Sequence, residues 1–216
     1  YPDYVAQAYQ EWYKTQICDF PATKDFHTCW LLHVPGLYAR RAPGTTCMEA
    51  IAAGAGGSIE RPINHSKGCG GVMRVAPVGL YLGSSRMAGL AADLVAADVA
   101  ALTHGHELGY IPAAMLSHMV RLLSHSTEIS LEAAVQDSME AIRRIFPKAV
   151  HLPAFLEKIQ LALHLAKTSK TDLDAIHALG EGWCGDEALA IAVYCAVKYQ
   201  DDFDKALLAA VNHGGD

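Results

Sequence analysis

Residues 84–105 read SSRMAGLAADLVAADVAALTHG, a run that is either a membrane span or a helix of a globular core. Ser84 stands where a helix cap is favoured, and Met87, Leu90 and Leu94 recur at helical spacing. Asp93 and Asp98 interrupt the apolar run. Carboxylates are costly in hydrocarbon, so the run belongs to a globular helix.

Working outward, the same helical rhythm repeats. DYVAQAYQEWYKTQ carries Val5, Tyr9 and Trp12 behind Asp3, a candidate cap. In GTTCMEAIAAG, Thr46 and Glu49 have capping-box spacing, and Gly54 is a plausible stop. LGYIPAAMLSHMVRLLSH places Pro112 in a first turn, where a missing N–H does little harm. Further helical patterns follow, with Ser130, Asp172 and Asp202 as caps, and runs of strand type are nearly absent. The sequence predicts an all-α fold, a compact orthogonal bundle of about nine or ten helices in one domain spanning residues 1–216. Alanine- and glycine-rich faces let the helices approach closely.

Composition narrows the function. Apolar residues are 51% and charged residues 19% of the 216, and the formal charge is -6, with a pI near 6.0. An acidic chain without a basic stripe or polybasic cluster is expected to bind neither nucleic acid nor a membrane surface. Six cysteines lie scattered without a C-x-x-C pair, which argues against zinc ribbons and disulfide frameworks and fits a cytoplasmic location. No signal peptide is recognisable.

Two long irregular segments break the helical pattern, and such segments more often carry function than decoration. The second contains NHSKGCGGVMRVAP, Asn64 to Pro77, with three glycines in four residues. Glycine is costly to order, so this cluster marks either a turn or a backbone that something approaches closely. Successive N–H groups in such a loop can make an anion nest, although the spacing is neither a P-loop nor a dinucleotide fingerprint. THGHE, Thr103 to Glu107, joins two helices. His104 and His106 have no third ligand nearby, so ligand contact or helix capping is favoured over metal. His164 and His177 read as surface or core residues. In GEGWCGDEALAIAVYC, Trp183 reads as a packing anchor, and Asp186 and Glu187 suit a helix N-terminus. The closing NHGGD puts Asp216 after two glycines, where spacing alone does not distinguish a hard-metal ligand from an ordinary surface aspartate.

Taken in order, RAPGTTCMEAI, NHSKGCGGVMRVAPVGL, THGHELGYIPAAML, GWCGDEALAIAVYCAV and DFDKALLAAVNHGGD resemble the ADP-ribosylglycohydrolase family over essentially the whole chain. Members release ADP-ribose from modified arginine, modified serine or dinitrogenase reductase. The resemblance implies that Ser66, Lys67, Gly68, Cys69, Gly70 and Gly71 form the loop against ADP-ribose, with His104 flanking the pocket. Met73 and Arg74 match the family's M-R pair, with Arg74 organising the loop through hydrogen bonds. Lys67 and Cys69 stand where members often carry an aromatic residue and an asparagine, which leaves the substrate preference open. Asp216 matches the first aspartate of the terminal G-G-D-x-D-[ST] motif, and so is expected to be both catalytic and a metal ligand.

The family mechanism is hydrolysis assisted by two hard cations, Mg²⁺ or Mn²⁺, that orient ribose hydroxyls and a water beside the anomeric carbon. The second aspartate and hydroxyl of the terminal motif, an upstream T-D-D-T and a G-D-x-x-G stretch are not in this sequence. The metal site is therefore incomplete, the domain is expected to be truncated at both ends, and the chain by itself is not expected to turn over substrate. The expected partner is ADP-ribose or an ADP-ribosylated protein. The alternative is an inactive ADP-ribose-binding or structural relative.

Overall fold

The structure, a computed structural model, describes residues 1–22, 29–83 and 89–215. Ten α-helices follow in order among them: α1 (Pro2–Ile17), α2 (Thr45–Ala52), α3 (Ala76–Gly83), α4 (Gly89–Ala101), α5 (Glu107–His125), α6 (Leu131–Ile145), α7 (Leu152–Leu165), α8 (Asp172–Leu179), α9 (Gly185–Lys198) and α10 (Phe203–Val211). Short 3₁₀ turns lie at Trp30–His33, Pro35–Leu37 and Cys69–Gly71. The all-α expectation holds. Ser84 and Met87, assigned to the start of the fourth helix, lie outside the described residues.

Helix α5 is the axis of the bundle, packed by α3, α4, α6 and α9. Its N-terminal half is buried nearly all round, from Gly109 through Met115. Against it α4 presents Ala92, Ala96, Ala97, Ala100 and Ala101, all fully buried, and these small side chains let the two helix backbones come close. Ile111, Met115, Met139, Phe155, Ile159, Ile176 and Tyr194 fill the centre. Burying each aliphatic side chain of this size contributes about 1.5–3 kcal/mol.

Pro112 lies inside α5, beyond the first turn where the sequence places it. A proline there cannot donate to the carbonyl four residues back, that of Leu108. That carbonyl faces Gly185 at the start of α9, where an added Cβ would sit 2.5 Å from it. The freed carbonyl is thus covered by another helix end, and tertiary packing makes the interior proline tolerable.

The caps show where local reading succeeds. Ser130 accepts from Ala133 N–H and Asp202 from Lys205 N–H, as expected. Thr171, one residue before Asp172, caps α8. Asp172 instead accepts from Lys198, Tyr194 and Tyr199 of α9 and its end. Asp3 sits in the first turn behind Pro2, and Gly44 rather than Thr46 precedes α2. Gly54 ends that helix region with φ +107°, as a stop should. No helix among the described residues is long and apolar enough to cross a membrane.

Candidate functional site

The glycine-rich loop is tied to a segment far away in the chain. Cys69 N–H donates to the Trp183 carbonyl at 3.0 Å and Gly185 N–H to the Lys67 carbonyl at 2.9 Å. This places Gly68 opposite Cys184 as an isolated antiparallel bridge, a non-hydrogen-bonded pair with its backbones close together. The loop start is fixed by Asn64. Its Oδ1 accepts from Ser66 N–H (3.0 Å) and Gly105 N–H (3.1 Å), while its Nδ2 donates to the Thr103 carbonyl (2.8 Å). Ser66 Oγ accepts from Gly68 N–H and reaches Thr46 Oγ1 at 3.4 Å.

The glycines have separate duties. A Cβ on Gly71 would lie 2.4 Å from the Gly109 carbonyl oxygen, so this position is glycine because α5 passes against the loop backbone. Gly70 instead faces Cys47 Sγ and the His104 ring, each just over 3 Å from an added Cβ. Gly68 lies over the same imidazole.

His104 is only 2% exposed and lies beneath the loop. Burial, then the positive charge of Arg74, pushes its pKa down to about 4, so the ring is neutral near pH 7. Its Nδ1 is 2.8 Å from Thr103 Oγ1. Arg74 donates to that same hydroxyl oxygen, which sits between the guanidinium and the ring. Nε2 lies on the side of Gly68 and Gly70. His104 meets the end of α4 through its backbone N–H, which donates to the Ala100 carbonyl at 3.0 Å, and Thr103 Oγ1 and Arg74 Nη2 reach the same carbonyl.

Arg74 also donates to Cys47 Sγ at 3.1 Å and stacks over the Tyr9 ring, 4.9 Å from its centroid. It links α1, α2 and the α4–α5 corner through hydrogen bonds and a cation–π contact, and none of these bonds goes to residues 66–71.

The structure therefore brings Ser66, Gly68, Gly70, Gly71, Arg74 and His104 into one assembly. Lys67 is exposed. Met73, 69% exposed, turns the other way and, with Cys69, Gly182, Ile191, Ala210 and His213, lines a cavity of about 250 Å³. Asp216 lies outside the described residues. Gly215 packs on the Glu181 carbonyl, so the terminal glycines and the glycine loop flank the same Glu181–Cys184 segment.

Two features were missed. Trp183 is 59% exposed and is not a packing anchor; its contribution is the carbonyl that holds Cys69. Asn64 ties the start of the loop to the Thr103–Gly105 turn. The glycines at 180, 182 and 185 were the available signal for the first feature, since they mark backbone that must be approached closely. His106 goes its own way: as the α5 N-cap its Nδ1 accepts from Leu108 N–H, and its ring meets His151 at 4.5 Å. Burial, then His151, lowers its pKa.

A helical domain built around a buttressed glycine loop fits a ligand-processing enzyme, and comparison of sequences fixes the class. The sequence model of the ADP-ribosylglycohydrolase family matches residues 1–216, so the chain belongs to that family of glycohydrolases acting on ADP-ribosylated substrates. Comparisons with curated proteins and with solved structures give no match.

Among the described residues no group of three or more His, Cys, Asp or Glu side chains converges to hold a metal ion. They do not by themselves supply the near-octahedral oxygen shell Mg²⁺ demands.

Proposed function

We propose that the chain recognises ADP-ribose through the Ser66–Gly71 loop and serves hydrolysis of the glycosidic bond between ADP-ribose and its acceptor. The observation that carries this reading is the double support of the loop. Its outer edge is paired with Trp183–Gly185 and its underside rests on a neutral His104 locked by Thr103 and Arg74. A loop fixed in this way loses little freedom when a ligand arrives, which raises affinity without new contacts. Glycine at 68, 70 and 71 lets the loop settle against His104 and α5.

In this reading Arg74 and His104 are positioning residues that hold the loop. Two divalent cations, Mg²⁺ or Mn²⁺, belong to the reading through Asp216, and they would supply Lewis acidity at the ribose. The described residues do not form such a site by themselves. A second reading, binding of ADP-ribose without turnover, shares the same loop.

Calorimetry of the full chain with ADP-ribose, with and without excess Mg²⁺, tests both. Binding that falls about tenfold in His104→Gln or Arg74→Met supports the loop assignment, tenfold corresponding to about 1.4 kcal/mol. Enhancement by Mg²⁺ together with turnover of an ADP-ribosylated peptide supports hydrolysis. Metal-indifferent binding without turnover supports the second reading, and absence of binding in either condition overturns both.

A further inference from the structure

At the far end of the α4–α5 pair from His104 lies a second buried histidine. His118 of α5 is 4% exposed, and both its ring nitrogens face carboxylates. Nδ1 is 2.6 Å from Asp93 Oδ2 of α4, and Nε2 is 2.7 Å from Asp137 Oδ1 of α6. Asp93 is fully buried, whereas the Asp137 side chain is 60% exposed. Arg121, one turn along α5, approaches the group, with Nη2 3.1 Å from His118 Nδ1 and 3.7 Å from Asp93 Oδ1. Asp93 Oδ1 itself has no hydrogen-bond partner.

A neutral imidazole carries one N–H and one lone pair. In that form one of the two short contacts would set a lone pair against a carboxylate oxygen. Only the imidazolium donates at both nitrogens; Arg121 Nη2, itself only a donor, then pairs with the otherwise unpartnered Asp93 Oδ1 rather than with Nδ1. The imidazolium also closes the charge balance, with His118 and Arg121 positive against Asp93 and Asp137 negative. Removing one proton leaves a net negative group around a carboxylate with no exposed surface.

We infer that His118 is a proton-operated latch: as the imidazolium it clamps α4, α5 and α6 together, and its deprotonation releases the clamp. The charged groups acting most strongly on it come from all three helices: Asp93 from α4, Arg121 from α5 and Asp137 from α6. Burial alone disfavours the charged ring, but the hydrogen bonds and charge of Asp93, then Asp137, outweigh it and raise its pKa. A raised value means that the clamp is fully present below the pKa of the unfolded chain, about 6.5, and is lost as pH rises through the folded value. The latch spans the two helices whose junction carries Thr103 and His104, so it bears on the pair that forms the underside of the loop. It does not rest on the proposed activity.

The test uses the full chain, with His118→Gln and Asp137→Asn. Imidazole resonances are titrated by NMR, the His118 signal being the one absent from the glutamine variant. Thermal midpoints are taken from pH 5.5 to 9. The latch requires His118 to titrate above the free-histidine value and its titration to move down in Asp137→Asn. It also requires the midpoint difference between wild type and His118→Gln to be largest at pH 5.5 and to shrink through that titration. Hydrogen exchange in α4 and α6 should accelerate over the same window in wild type, beyond the pH trend of the glutamine variant. A His118 that titrates below free histidine overturns the latch, and so does a midpoint difference constant across the range. If His118→Gln does not fold, the titration in wild type and Asp137→Asn decides alone.

Discussion

His104 and His118 are equally hidden from solvent, at 2% and 4% exposure, and they flank the same pair of helices. Burial disfavours the charged form of both, yet their pKa values move in opposite directions. Beside His104 lie a hydroxyl and a guanidinium, which offer a positive ring no counter-charge. Around His118 stand two carboxylates. The difference teaches that the partner, rather than depth, fixes the charge of a buried histidine. One end of the α4–α5 pair is therefore neutral and close-packed, and the other is ionic.

The contrast can be broken at several points. Asp93→Ala should have the largest effect, leaving His118 and Arg121 without their buried counter-charge. A loss of about 3–5 kcal/mol is expected at pH 6 by chemical denaturation, and less at pH 9. Acid behaviour sharpens the other half. Because His104 binds its proton more weakly in the folded chain, it lowers stability as pH falls from about 6.5 towards 4, by on the order of 3 kcal/mol. The slope of stability against pH in that window should flatten in His104→Gln. Gly71→Ala forces a methyl group into the α5 backbone and should cost about 2–3 kcal/mol, equally at pH 6 and pH 9. Arg74→Met should cost about 1–2 kcal/mol and raise the His104 pKa without restoring its free value, since burial is the larger cause. NMR titration of that ring measures it. Smallest of all is Lys167→Ala, which breaks an exposed ion pair with Glu132 and should change stability by no more than about 0.5 kcal/mol.

Much of this molecule is legible locally. The helix α4 is legible as a helix, although Leu94 of its apolar rhythm is exposed and alanines form its buried face, and Ser130 and Asp202 announce their own helix starts. What sequence could not give were features decided by partners far along the chain. Pro112 is tolerated in mid-helix because Gly185 covers the carbonyl it frees. Asp172 has cap chemistry but is claimed by Lys198, Tyr194 and Tyr199. Trp183 looks like an anchor because its side chain is large, whereas its backbone is what the loop uses. At the site, the glycine cluster was readable as a place of close approach. Its division between packing at Gly71 and ring contact at Gly68 and Gly70 required three dimensions.

The bridge between Gly68 and Cys184 also has a temporal consequence. A chain made from its N-terminus has synthesised the whole glycine loop long before residue 184 exists. The loop must wait through the production of six further helices for its partner strand, and pairing over so long a separation carries a heavy loop-closure cost. During that interval the loop backbone is held from one side only. The loop's outer pairing is therefore completed only once the Trp183–Gly185 segment has been made and has docked.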